Sequence, residues 1–218
     1  MGLKNTTTPS SMTGTKLSIV GGKFTLRVQE GTDGAESRIL TKGPHAGEAV
    51  YELKYPAIEG YIVNGGIIDG EYPGVDIEVE DGSESFVISF PLESRYLFEL
   101  IKRLPNVNIT EKVSIELQEL SKKSRTGNPL YRLNVIQGGR QLQDFYTEWK
   151  KDETGKNVAT LLHGMPDAEQ TRKGWDFTKQ EDFLLGKLEE FFGNSEPTAE
   201  KVLKDAGFVE ADDDGVPF

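Results

Sequence analysis

Residues 91–105, PLESRYLFELIKRLP, are the stretch that indicates most about the fold, because the spacing of the apolar residues changes there. On both sides of this stretch apolar and polar residues alternate, which is typical of half-buried β-strands. Within it, apolar side chains recur every three or four residues, as on one face of an α-helix, and Pro105 ends the pattern. The apolar positions are Leu92, Tyr96, Leu97, Leu100, Ile101 and Leu104. The sequence therefore predicts one helix between two groups of strands.

The segments before the helix are separated by turn residues and read as strands. The first, residues 16–28, carries Gly21 and Gly22 at its middle, and we expect one long strand that is bent or bulged there. The other alternating segments are residues 49–55, 60–69, 74–81 and 85–90.

Two strong strands follow the helix, at residues 112–120 and 130–139, and the loop SKKSRTGNP joins them. Five main strands with a helix between the third and the fourth is the order of an OB-fold, a small, partly open Greek-key β-barrel. The predicted fold class is therefore mainly β with appended helices. Because the chain has one or two strands more than this minimum, another β-barrel or a mixed α+β sandwich remains an alternative.

Changes in composition divide the chain into four parts. They are a disordered lead-in (1–15), an OB-like core (16–150), a helical extension that packs on the core (151–208) and a flexible acidic tail (209–218). Within the extension, helical spacing and terminal glycines predict helices at 178–193 and 198–207.

The composition argues against several classes of protein. The chain has no cysteine, which excludes disulfides and thiolate metal sites and fits a reducing compartment such as the cytoplasm. No run of about 18 apolar residues is present, so we expect no membrane span. His45 and His163 lie in unrelated contexts and no nucleophile motif is present, so we expect no catalytic residue, metal or cofactor. The carboxylates Asp69, Glu71 and Asp76 fit a solvated acidic loop better than a Mg²⁺ site.

The charge of the chain is unevenly distributed. The formal net charge is −11, but residues 1–160 hold 19 basic against 22 acidic side chains, whereas residues 161–218 hold 6 against 14. No acidic residue lies between Glu119 and Asp144. A basic loop is often ordinary solvated surface, but such a patch is also what phosphate binding needs, because phosphates that are neutralised release counterions. The candidate phosphate contacts are Lys23, Arg27, Lys122, Lys123, Arg125, Arg132 and Arg140.

Single-stranded nucleic acid also needs aromatic rings on which bases stack. Tyrosine suits this role because it has an apolar ring and a polar tip. Tyr55, Tyr61 and Tyr72, all in the strand-rich part, are the candidate stacking residues, although a single tyrosine is more often part of a core or its rim.

The sequence ends in an acidic run followed by Val-Pro-Phe. Together with a basic groove in a strand-rich body, this ending resembles the single-stranded DNA-binding proteins of bacteria and their phages. The matching residues are Asp212, Asp213, Asp214, Gly215, Val216, Pro217 and Phe218. The body is larger than in the bacterial proteins and lacks their long Gly/Gln/Pro-rich linker, which is closer to phage replication proteins. The tetramer common in the bacterial family is therefore not carried over.

The resemblance implies a protein without enzymatic activity that coats single-stranded DNA, without sequence specificity, during replication, recombination or repair. Through the acidic tail it would recruit partner enzymes, in the cytoplasm of the bacterial host if the protein is phage-encoded. Two alternatives stay open. One is a structural or interaction protein, such as a virion component, that docks through its tail without binding nucleic acid. The other is a metal-dependent nuclease or another nucleic-acid enzyme.

Overall fold

The computed structural model describes residues 12, 14–41, 43–124, 126–172 and 174–193. In chain order the main elements are β1 (Thr15–Val20), β2 (Lys23–Val28), β3 (Glu36–Ile39), β4 (Ala49–Tyr55), β5 (Ala57–Ile68), β6 (Gly74–Asp81), β7 (Glu84–Pro91), α1 (Arg95–Ile101), a 3₁₀ turn (Leu104–Asn106), β8 (Val113–Lys123), β9 (Pro129–Gln137) and β10 (Arg140–Gln141). After them come β11 (Thr147–Lys151), β12 (Asn157–Leu161), β13 (Glu169–Thr171), β14 (Gly174–Asp176) and α2 (Thr178–Gly193).

Strands β1 to β10 form one sheet in the order β10-β9-β8-β5-β6-β7-β1-β2-β4-β3. All neighbours are antiparallel except β1 and β7, so the sheet is mixed. The mainly β class is therefore confirmed, and the predicted helix lies after β7 and before β8. Within the described residues no strand pairing joins the two edges of the sheet, so a closed barrel is not formed.

The long strand β5 connects the two groups of strands on either side of α1. Its first residues, from Ala57 to Gly60, pair with β8, and its remainder pairs with β6. The register shifts between Ile62 and Asn64, which marks an irregularity of the β-bulge kind that increases local twist. One curved strand thus takes part in both halves of the sheet.

Gly21 and Gly22 form a tight turn between β1 and β2, which corrects the expectation of one bent strand. Both have positive φ angles, 57° and 73°, as the two central residues of a type I′ hairpin turn require. Gly22 lies against the ring of Tyr131 on β9, because a Cβ at position 22 would be 2.3 Å from that ring. The turn therefore contacts β9 even though no strand pairing joins them.

One hydrophobic core fills the space between the curved sheet and the two helices. Leu97, Leu100 and Ile101 of α1 and Leu184 and Leu188 of α2 are almost fully buried in it. Helix α2 approaches β5 closely: a Cβ on Gly65 would lie 2.3 Å from the Phe192 ring. The prediction that residues 178–193 form a helix packing on the strand-rich body is confirmed.

The rest of the predicted extension differs from expectation. Residues 157–161, 169–171 and 174–176 form short strands rather than part of a helical extension, and they belong to two separate ribbons, β11–β12 and β13–β14. The first ribbon begins at Thr147, before the predicted boundary at residue 150. The predicted helix 198–207, the tail 209–218 and most of the lead-in 1–15 lie outside the described residues, although Thr15 already begins β1.

Candidate nucleic-acid interface

Strands β8 and β9 form a long hairpin, which we call the basic hairpin (residues 113–137). Lys122 and Lys123 lie exposed at the end of β8, beyond a register shift that follows Glu119. Arg125 lies outside the described residues. Arg132 follows on β9, opposite Gln118. Because no acidic residue occurs between Glu119 and Asp144, the distal half of the hairpin is entirely cationic among its charged residues.

The register defines which side chains share the outer face of this hairpin. Ile115, Leu117, Leu133 and Val135 are buried and face the core. Paired residues of antiparallel strands share a face, and successive residues alternate. The outer face therefore carries the three pairs Ser114 with Ile136, Glu116 with Asn134, and Gln118 with Arg132.

A groove of about 490 Å³ lies on this outer face, and we call it the outer-face groove. It is lined by Pro56, Ala57, Glu116, Leu117, Gln118, Asn134, Ile136 and Gln141. Three of these side chains are amides in a hydrogen-bonded chain. Gln141 Nε2 donates to Asn134 Oδ1 at 2.8 Å, and Asn134 Nδ2 donates to Gln118 Oε1 at 2.9 Å.

Arg132 adjoins the groove and also a cluster of charges around α1. It lies within electrostatic range of Glu99 and Arg103, and its buried Nε has no hydrogen-bond partner among the described residues. Burial lowers the pKa of Arg103, and Glu99 and Asp144 oppose this. Arg95 donates to the backbone carbonyl of Tyr131, next to Arg132. This part of β9 therefore lies among several guanidinium groups.

The other predicted phosphate contacts are distributed differently. Lys23 begins β2 beside Gly22, and so lies next to the contact between the β1–β2 turn and Tyr131. Arg27 is exposed on the same strand, in register with Glu52 of β4. Arg140 is exposed on the edge strand β10, where alternation directs it to the face opposite Gln141.

Glu52 is itself part of a buried ion pair. It is 1% exposed and accepts two hydrogen bonds from Arg38, at 2.5 Å and 3.1 Å. These bonds raise the pKa of Arg38. The charge of Glu52 is thus largely satisfied by Arg38 of β3.

The three predicted stacking tyrosines do not come together. Tyr55 ends β4 directly before Pro56, which lines the outer-face groove, and is 37% exposed. Tyr61 lies on β5, 36% exposed, with the Lys112 ammonium 5.9 Å from its ring centre. Tyr72, 79% exposed, follows the opposite end of β5. Tyr55 is therefore the one of the three that directly precedes a groove-lining residue along the chain.

Sequence reasoning missed the amide groove and three exposed aromatic residues. Trp149 on β11, Trp175 on β14 and Phe177 before α2 are each at least half exposed. Arg132 and Asn134 are polar residues two positions apart among apolar ones, and this alternation indicates that Asn134 points away from the core. The alternation did not reveal that Gln118 and Gln141, distant in sequence, lie beside it.

The outer face of β6 is acidic, with Asp76, Glu78 and Glu80 at alternate positions, and it disfavours phosphate. Among the described residues no group of three His, Asp or Glu side chains is placed to hold a metal ion. In the same part of the chain neither helix has the length and apolarity needed to cross a membrane.

We compared the chain with protein-family models, curated proteins and solved structures, and none of them matches it.

Proposed function

We propose that this protein binds single-stranded DNA without enzymatic activity, through the basic hairpin and the outer-face groove beside it. The observation that carries the proposal is the distal half of the hairpin, where Lys122, Lys123 and Arg132 lie without a neighbouring acidic residue in sequence. In a chain of net charge −11, such a local reversal of sign favours a polyanionic ligand at this place.

The order of the strands supports the proposal. Along the chain, β5, β6 and β7 are followed by α1 and then by β8 and β9, which is the order of five strands and one helix that the sequence predicts for an OB-fold. In the sheet these five strands are neighbours in the order β9-β8-β5-β6-β7. We infer that these elements are an OB-type unit extended by β1 to β4. In OB-folds the loop between the last two strands is one wall of the nucleic-acid groove. Here that loop joins β8 to β9, at the tip of the basic hairpin.

The polar character of the groove also fits a single strand. Unpaired bases expose their Watson–Crick edges, with which amide side chains can form hydrogen bonds, whereas base pairing occupies those edges in a duplex. Tyr55, which directly precedes the groove-lining Pro56, would supply a ring for stacking, which is tolerant of sequence.

The acidic segment 209–218 is proposed to recruit partner enzymes of replication, recombination or repair. Its aspartates would be attracted to basic partner surfaces, and Phe218 would enter an apolar pocket of the partner. Removal of residues 210–218 should tighten DNA binding at low salt, because this acidic segment would compete with DNA for the basic hairpin, and should weaken the contacts with those partners.

The test is a fluorescence titration of the full chain with poly(dT) and with a duplex of matched length, at two salt concentrations. The exposed Trp149 and Trp175 supply the signal. We expect preference for the single strand and a steep loss of affinity at the higher salt. If neither ligand binds at low salt, the proposal is wrong, and the alternative of an interaction protein that docks through residues 209–218 takes its place.

A further inference from the structure

The phosphate contacts leave the outer-face groove unexplained. Its volume of about 490 Å³ lies within the range of small-molecule pockets, about 300–1,000 Å³. The carboxylate of Glu116 lies among its lining residues and disfavours a phosphate there. The groove is therefore suited to a neutral group with hydrogen-bonding edges, while phosphates are bound by the cations near Arg132.

The amide chain fixes which hydrogen-bonding groups remain for a ligand. Asn134 is 4% exposed and both its oxygen and its nitrogen bond to neighbouring amides. Gln141 uses its nitrogen in this chain, and Gln118 uses its oxygen. The side-chain carbonyl oxygen of Gln141, an acceptor, and the side-chain N–H groups of Gln118, donors, therefore remain available at the two ends of this row of amides.

Glu116 adds a second acceptor. Its Oε1 accepts a hydrogen bond from Ser114 at 3.2 Å, which leaves Oε2 for a ligand. An ionised carboxylate accepts hydrogen bonds and donates none. A ligand group that faces Glu116 must therefore carry N–H donors.

The apolar lining completes the site. Pro56, Ala57 and Ile136 lie in the same groove as the polar groups, and such side chains cover the face of a flat ring. The combination of apolar walls with a few polar groups of defined direction is what pockets for small heterocyclic ligands share.

We propose that the outer-face groove holds one nucleobase of the bound strand and selects bases that carry an exocyclic amino group. This inference rests on the proposed function and deepens it. Adenine, cytosine and guanine each offer an amino group to the carboxylate of Glu116, and a neighbouring acceptor to the Gln118 amide. Thymine has no amino group, and its one N–H, at N3, is flanked on both sides by carbonyl oxygens. When that N–H donates to Glu116, one of these carbonyls meets the Gln118 amide, but the other lies against the carboxylate, so two acceptors face each other.

The test compares oligonucleotides of equal length that contain only deoxycytidine, deoxyadenosine or thymidine, each titrated into the full chain. We expect the first two to bind about fivefold or more tightly than the thymidine oligonucleotide, which corresponds to one well-formed base contact. In Glu116→Gln the new amide both donates and accepts, so it can pair with thymine, and the ratio should fall to about one.

Removal of a negative charge raises the affinity for every oligonucleotide, so only the ratio is diagnostic. Glu119→Gln is the matched control, because Glu119 is an exposed carboxylate on the same strand that does not line the groove. It should raise all affinities and keep the ratio. Equal binding of the three oligonucleotides by the unaltered chain, or an unchanged ratio in Glu116→Gln, would overturn the base selection without touching the proposed function.

If no oligonucleotide binds, the proposed function fails and the groove is tested by itself. Side-chain amide NMR signals of Gln118, Asn134 and Gln141 are then followed as free cytidine or thymidine is added. Shifts with cytidine that are absent with thymidine would support the base site. Equal shifts, or none, would refute it.

Discussion

The carboxylate of Glu99 accepts a hydrogen bond from the backbone N–H of Leu133 at 2.6 Å, which ties helix α1 to the edge of strand β9. Arg95, one turn earlier, donates to the carbonyl of Tyr131 on the same edge. Free strand edges present unpaired backbone groups that invite pairing with another strand. Because α1 satisfies these groups, β9 needs no neighbouring strand at this point, and the sheet stays open.

This contact makes a prediction about pH. Burial raises the pKa of Glu99, and the Leu133 N–H and nearby arginines reverse only part of the rise. The folded protein thus binds this proton more tightly than the unfolded chain, so the stability that Glu99 contributes is present in acid and is lost as the pH rises through the raised pKa. Glu99→Gln keeps an oxygen for Leu133 and does not ionise. Its free energy of unfolding, relative to the unaltered protein, should therefore rise from the usual glutamate pKa towards neutrality.

Urea unfolding of both proteins at several pH values measures this difference. Glu93→Gln removes the same charge from an exposed site just before the helix and should show a weaker dependence. A Glu99→Gln protein whose relative stability falls with rising pH would contradict the assignment.

Reversal of charge on the basic hairpin tests the phosphate contacts. Lys122→Glu with Lys123→Glu should weaken binding to single-stranded DNA and reduce the slope of log affinity against log salt by about 1.4, because each phosphate contact contributes about 0.7 for a single strand. Lys179→Glu with Lys187→Glu makes the same change of net charge on α2, where surface ion pairs with Glu169 and Glu190 contribute little to stability. A similar loss of slope in both proteins would show a general effect of net charge.

The tyrosines differ in position, and we expect them to differ in effect. Tyr55 directly precedes Pro56, which lines the groove, and Tyr72 follows the far end of β5. Tyr55→Leu should weaken binding by about 1–3 kcal/mol, the usual contribution of stacking one base, because leucine fills space without offering a ring. Tyr72→Leu should leave affinity nearly unchanged. Titration of both proteins with the same oligonucleotide measures the two affinities. A larger loss of affinity for Tyr72→Leu would contradict the prediction and would indicate that the DNA passes over the β5–β6 turn.

The contact of Gly22 with Tyr131 predicts a difference between two adjacent glycines. Gly21→Ala meets no atom within 4 Å and carries only the strain of a left-handed backbone, about 1–2 kcal/mol. Gly22→Ala carries the same strain and also places a methyl group against the Tyr131 ring, where overpacking typically costs about 1–3 kcal/mol more. Thermal unfolding of the two proteins measures the gap. Equal stabilities would mean that the β1–β2 turn does not press on β9.

Much of this architecture follows from local pattern. Alternating residues in VSIELQEL and LYRLNVIQ indicate strands, because a half-buried sheet requires a period of two. The helical spacing near Leu97 and Leu100 has the same kind of cause. The positive charge of the hairpin is also predictable from the sequence, because it depends on composition and not on which residues are neighbours in space.

Other features could not be predicted from local pattern. The pair Gly21 and Gly22 indicates a bulge as readily as a two-residue hairpin turn, because both favour glycine. The ribbons in residues 147–176 were missed because their strands are short and largely exposed, so they show little apolar alternation.

The strand-rich class, the single helix between two groups of strands and the sign of charge on the hairpin follow from local sequence, because each depends on residues close together in the chain. The parallel pairing of β1 with β7, the contact of Gly22 with Tyr131 and the groove shared by three distant amides arise only when the chain packs. Those relationships depend on which surfaces fit together when the chain packs, and the period of a local pattern carries no information about its distant partner.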